Sequence, residues 1–102
     1  MSNKNEDLVC YKTLSVWTSQ TIPEGFKSRH NTRSGTWAKL VILSGSLIME
    51  FMSDEGEVID RLEYSKENQP PLIQPKQYHR IVSCSEDVRC QLSFYAKESV
   101  EN

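Results

Sequence analysis

The sequence predicts an all-β domain, a sandwich or barrel of short antiparallel strands. Three observations carry that prediction. Apolar and polar residues alternate over short runs, the period of a strand. The four glycines (25, 35, 45 and 56) all fall between those runs, where turns need their backbone freedom. Nowhere do apolar residues recur at helical spacing over about three turns.

Taken in order, residues 1–7 are polar and read as a tail. Leu8 to Leu14 alternates as a first strand, whereas Trp17 to Ile22 has no clear period. Thr21-Ile22-Pro23-Glu24-Gly25 is a turn, with Pro setting φ. Phe26 to His30 leads into the best-patterned stretch. There, Ala38–Leu43 and Ser46–Met52 flank Ser44-Gly45, a two-residue hairpin signal. In that hairpin Leu43 pairs with Ser46, Val41 with Ile48 and Lys39 with Glu50. One face then collects Ala38, Leu40, Ile42, Leu47, Met49 and Phe51, and must be buried.

Ser53-Asp54-Glu55-Gly56 closes a second hairpin onto Val58–Tyr64. Gln69-Pro70-Pro71 excludes a helix or central strand, Leu72-Ile73 is a short apolar step, and Gln74-Pro75-Lys76-Gln77-Tyr78 is another turn. A last hairpin joins His79–Cys84 to Val88–Tyr95 around Ser85-Glu86-Asp87. In its register Cys84 opposes Val88 and His79 opposes Ser93. Val82, Cys84, Val88, Cys90, Leu92 and Phe94, with Arg80 at the end, then face the core. His79, Ile81, Ser83, Arg89, Gln91, Ser93 and Tyr95 face the other way. The predicted domain is 8–96, with a polar tail at 97–102.

A chain of 102 residues fits one hydrophobic core. Net charge is −2 with no basic run, which argues against nucleic acid as partner. No stretch approaches the ~20 apolar residues of a membrane span. The polar N-terminus shows no secretory h-region, so the expected compartment is the cytoplasm. Three cysteines, none in a Cys-x-x-Cys pair, argue against a disulfide framework.

The candidate chemistry rests on the two histidines. His30 and His79 each stand after a turn and before a strand, positions that can converge at one mouth of a barrel. Two imidazoles are half a metal site, and Glu50 is a candidate third ligand. The face carrying Gln91, Ser93 and Tyr95 beside His79 is either a pocket lining or a solvent face. Trp37 packs or walls the pocket. Lys39, Arg29 and Arg80 favour a small anionic ligand if they point inward and are ordinary surface cations if they do not; Lys39 is also the predicted partner of Glu50. No nucleophile elbow, phosphate loop or dinucleotide fingerprint appears.

Several separated motifs occur together and in order: Tyr11-Lys12-Thr13-Leu14; Pro23-x-Gly25-Phe26; His30-x-Thr32-x-x-Gly35-Thr36-Trp37-x-Lys39-Leu40; Leu43-x-Gly45; Pro75-x-x-x-His79-Arg80; and Gln91-Leu92-x-Phe94-Tyr95. Over residues 8–96 the chain resembles the cupin-like N-terminal domain of some tellurite-resistance TehB proteins and the stand-alone YeaR-like proteins. The resemblance implies a single cupin-like jelly-roll β-barrel, a homodimer, and a part in tellurite resistance or oxyanion stress. It does not extend to the methyltransferase half of longer TehB proteins, so methyl transfer is not expected. Cupin enzymes carry His-x-His and a Glu in their first motif. Here that motif reads His30-Asn31-Thr32, with Trp37 about where the Glu falls. Relatives tend to have a carboxylate at the position of Ser93.

The leading expectation is a module that binds a small anion or metal-bound ligand at His30 and His79. The alternative is a metal-dependent cupin enzyme of oxygenase or isomerase type, holding one divalent transition metal (zinc, iron or nickel). A purely structural role for both histidines is the third reading.

Overall fold

In the computed structural model, which describes residues 8–97, the chain forms eight strands in two antiparallel sheets. They are β1 (Leu8–Thr13), β2 (Trp17–Thr18), β3 (His30–Asn31), β4 (Trp37–Ser44), β5 (Ser46–Met52), β6 (Val58–Ser65), β7 (Tyr78–Cys84) and β8 (Arg89–Lys97). A 3₁₀ turn at Glu24–Lys27 follows Pro23, overlapping the end of the Thr21–Gly25 segment predicted to turn. The tails predicted at 1–7 and 97–102 lie outside the described residues, except that Lys97 ends β8.

The first sheet is built on β8, with β1 and β2 along one edge and β4 along the other. The second runs β3-β7-β5-β6. The two sheets pack face to face, and their inner faces make the core. The inner side chains of β4 and β5 predicted from parity (Ala38, Leu40, Ile42, Leu47, Met49, Phe51) are all buried there. Fully burying a Leu, Ile or Met is worth ~1.5–3 kcal/mol each, so this inner layer is what holds the sheets together. No ladder joins the sheets into a closed barrel among the described residues. The architecture is therefore a sandwich, and the predicted closed can is corrected to that extent. One side is nevertheless sealed. Ala38 and Ile73 exchange backbone hydrogen bonds at 3.0 and 2.8 Å, and the Gln69 amide bonds both N–H and C=O of Ile42. The 69–73 segment thus occupies the outer edge of β4.

Two predicted hairpins prove to be corners between sheets. β4 pairs with β8, and β5 with β6 and β7, so Ser44-Gly45 carries the chain across the sandwich. Ser85-Glu86-Asp87 does the same between β7 and β8. Lys39 therefore opposes Ser93, not Glu50, and His79 opposes Phe51 and His30, not Ser93. The corners lie against each other. Ser46 N–H donates to Ser85 Oγ at 2.9 Å, Ser85 N–H donates to the Ser46 carbonyl at 2.9 Å, and Ser44 Oγ donates to the Asp87 carbonyl at 3.0 Å. The predicted hairpin from β5 into β6 is formed as expected.

The predicted faces of β7 are also revised. Ile48 opposes Ser83 but Met49 opposes Ile81, so Val82 is an extra, bulged residue. A bulge reverses the parity beyond it. His79 and Ile81 consequently point into the core, while Val82 is exposed and Arg80, predicted on the core side, turns outward to Glu50.

Candidate functional site

The two histidines are brought together by backbone pairing. β3 is two residues long, and its His30 sits directly opposite His79 on β7. Pro23, the 3₁₀ turn and Arg29 set up that placement. Arg29 stacks its guanidinium 3.7 Å from the centre of the Tyr78 ring and donates to the Asp54 carbonyl at 2.8 Å. This ties the segment before His30 to the β5–β6 turn and to β7. A Pro75-Lys76 turn, with Lys76 at φ 64°, delivers Tyr78 and His79 on the other side.

The rings form a chain. Trp17 and Phe26 have centroids 4.8 Å apart, Phe26 and His30 4.8 Å, His30 and His79 4.2 Å, and His79 and Phe51 6.2 Å. Each imidazole is held through Nδ1. His30 Nδ1 lies 2.8 Å from the Ser28 carbonyl, and His79 Nδ1 lies 2.8 Å from the Gln77 carbonyl. A carbonyl oxygen only accepts, so Nδ1 carries the proton in both rings. Each neutral ring therefore has its lone pair on Nε2. Burial drives His79 down to about pKa 4; the Gln77 carbonyl opposes this and the neighbouring His30 adds to it. At neutral pH His79 is thus an uncharged hydrogen-bond acceptor.

The histidines line a cavity of about 370 Å³ between the sheets. Its apolar wall includes Leu40, Met49, Ile81, Leu92 and Phe94, and its polar and charged lining includes Thr32, Thr36, Lys12 and Arg33. His30 Nε2 and Thr32 Oγ1 are shielded from solvent and lack a hydrogen-bond partner. Unpartnered buried polar atoms cost free energy. Here both belong to residues of the cavity wall. Lys12 and Arg33 are exposed, and they place positive charge along the lining.

The other predicted site residues lie elsewhere. Glu50 is buried on the outer face of its sheet, opposite Arg80 and Arg61. Its carboxylate accepts from Arg80 at 2.8 Å and from Arg61 at 3.4 Å. Strand parity sends it away from its neighbour Phe51 and hence from His79. Trp37, Lys39, Gln91, Ser93 and Tyr95 share the outer face of the first sheet, in the cross-strand pairs Trp37–Tyr95, Lys39–Ser93 and Val41–Gln91. Trp37 Nε1 donates to Gln74 Oε1 at 3.2 Å, Ser93 Oγ meets Thr13 Oγ1 at 3.0 Å, and Gln91 Nε2 donates to the Leu14 carbonyl at 3.0 Å. None of the five lines the cavity. Among the described residues no three His, Cys, Asp or Glu side chains gather as a metal-binding group. The donor set at the histidines is therefore two imidazoles, short of the three protein ligands typical of an open catalytic metal site.

Sequence reasoning missed Tyr11, Lys12, Phe26, Thr32 and Thr36 as cavity residues. A bulge between Cys10 and Lys12 turns Tyr11 and Lys12 toward the cavity, where simple alternation puts only one of them. Thr32 and Thr36 lie in the short link from His30 to β4, and that proximity was the available signal.

The chain matches the TehB-like domain family over residues 12–92. Two proteins of Haemophilus influenzae, from strain Rd and strain 10810, are 40% and 38% identical to it over 95 residues. Both are named probable S-adenosyl-L-methionine-dependent methyltransferase TehB. The matched region is 93% of this chain but 33% of each relative, so the chain spans about a third of their length. The crystal structure of TehB from Haemophilus influenzae superposes with a TM-score of 0.86 at 38% identity, over 91% of this chain and 32% of that one. A crystal structure of an Escherichia coli K12 protein superposes with a TM-score of 0.83 at 21% identity, over 100% of this chain and 94% of that one. The second likeness is one of fold.

Proposed function

Because the chain belongs to the TehB-like domain family, we propose that it is a binding module for a small oxyanion, seated at His30 and His79 and serving tellurite resistance or a related oxyanion stress. The observation that carries this reading is the paired imidazoles, each tethered through Nδ1 and each leaving Nε2 without a hydrogen-bond partner, beside a 370 Å³ cavity. The neutral His79 ring, an acceptor at Nε2, suits a guest that brings its own proton. A partly protonated oxyanion has an O–H to donate to an imidazole and charged oxygens for Thr32, Lys12 and Arg33 to meet. A fully ionised oxyanion offers acceptors alone and suits the neutral His79 ring poorly. The cysteines are free thiols, which fits the cytoplasm as the compartment we assign. The methyltransferase activity named for the much longer relatives is not part of this reading.

Calorimetric titration of the purified, tag-free protein with tellurite, selenite, sulfite and phosphate tests the proposal. Saturable binding that is lost in both His30→Ala and His79→Ala supports it. Absence of binding by every oxyanion, or binding indifferent to both substitutions, overturns it. Metal analysis of the same samples addresses the cupin-enzyme alternative: a stoichiometric metal that disappears in His79→Ala would favour that reading over the oxyanion.

A further inference from the structure

The cavity is larger than an inorganic oxyanion needs. An apolar space of about 150 Å³ already takes a benzene ring, and a water molecule in the liquid occupies about 30 Å³. At about 370 Å³, the space between the sheets has room for a ring and for a head group besides. Most of it is poor ground for water. Leu40, Met49, Ile73, Ile81 and Leu92 line it and offer no side-chain donor or strong acceptor. A held water needs about two to four polar partners, so this part of the cavity favours an apolar occupant.

Polarity is ordered along the cavity. Toward the inter-sheet corners the core is closed: Ile42, Leu47, Val88 and Cys90 are no more than 1% exposed, and none of them lines the cavity. The exposed lining residues, Tyr11, Lys12, Asn31 and Arg33, stand on β1, on β3 and on the link that follows β3. Tyr11 Oη lies 3.4 Å from Thr36 Oγ1, which holds β1, and Lys12 with it, beside that link. The open end therefore carries two cations. Among the described residues no carboxylate lines the cavity, although the chain as a whole has a net charge of −2. A rim of one sign concentrates guests of the other, here anions.

We propose that the oxyanion taken by this cavity is the head group of an organic molecule whose apolar body, about the size of one ring, lies among Leu40, Met49, Ile81 and Leu92. This rests on the oxyanion seat at the histidines argued above. The class it points to is a phosphate monoester or phosphonate of an aromatic or compact aliphatic group. The head meets His79, Lys12 and Arg33. Such a head keeps one proton on part of its population near neutral pH, because its second pKa is about 6 for a monoester. It can therefore donate an O–H to the neutral His79 ring and turn its charged oxygens to the cations. A carboxylate head, with a pKa of about 4, has no proton left to donate at that pH. The body supplies affinity by leaving water for the apolar wall.

Calorimetric titration near neutral pH with inorganic phosphate, methylphosphonate, phenylphosphonate and benzyl alcohol tests this. The first three share a head and differ in body; the last has the ring and an O–H but no charge. Phenylphosphonate should bind at least about tenfold more tightly than each of the others. Leu92→Phe, which fills the cavity from its wall, should shrink the advantage of phenylphosphonate over inorganic phosphate. Circular dichroism checks its fold, and Ala38→Leu fills the same space from β4 should Leu92→Phe not fold. Equal affinity for phenylphosphonate and inorganic phosphate overturns this inference and leaves the oxyanion seat standing. Benzyl alcohol binding as tightly as phenylphosphonate, or a phenyl advantage unchanged in the folded filling variant, also overturns it. Binding by none of the three anions, or binding indifferent to His79→Ala, overturns the seat itself and this inference with it.

Discussion

Gly45 and Ser85 meet where the two inter-sheet corners touch: a Cβ added to Gly45 would lie 2.5 Å from Ser85 Oγ and 2.7 Å from Val88 Cα. Gly45 also has φ +69°, a conformation that side chains rarely adopt. Gly45→Ala therefore combines backbone strain with overpacking against backbone, and is expected to cost at least ~2 kcal/mol. Gly25→Ala, with nothing within 4 Å and no positive φ, should be near neutral. Urea unfolding of the two variants side by side checks the contrast.

Stability should fall between about pH 6.5 and pH 4 because of His79. Its folded pKa of about 4 lies below the ordinary 6.5, so in that window the unfolded chain binds the proton and the folded chain does not. The native state is thus favoured above the window and loses that advantage as pH falls through it. The full difference is on the order of 3 kcal/mol at one group. Carboxylates titrate nearby, so the comparison that isolates the effect is unfolding of wild type against His79→Gln across the same pH series. Equal slopes for the two proteins would refute the assignment.

Glu50 and its arginines should behave as structure, not as ligand site. Arg80→Met leaves the carboxylate, 6% exposed, with only Arg61 at 3.4 Å. Stranding a buried charge costs ~3–5 kcal/mol when its pair is broken. Glu50→Met leaves two guanidiniums that are 40% and 58% exposed and can turn to water, at a cost of the order of 1 kcal/mol. The arginine variant should be the less stable in thermal melts. Neither should alter oxyanion affinity, since both lie on the sheet face away from His79.

At the cavity, His79→Ala should weaken oxyanion binding by tenfold or more, the loss of one hydrogen bond that leaves the guest's O–H unpaired. Thr32→Val removes the unpartnered hydroxyl while keeping the shape. It should leave stability unchanged or raised and still weaken binding. Calorimetry and urea melts on this variant separate a ligand contact from a packing role.

Local pattern alone settled the all-β class, most strand limits, and the inward set Ala38, Leu40, Ile42, Leu47, Met49 and Phe51, all of which are buried. Period-two alternation says which side of a strand is apolar, and turn residues say where it ends; both are written within a few neighbours. Neither names the strand across the hydrogen bonds. Ser44-Gly45 fits a hairpin and a corner equally well, and the competition was won by β8 pairing with β4 and by β6 and β7 pairing with β5. The bulge at Val82 was likewise invisible in sequence, yet it turns His79 inward to meet His30. Only the folded chain decided that the imidazoles converge while Glu50 and the outer-face residues stay away. Partner choice is long-range, and a single extra residue in one strand reverses every side chain beyond it.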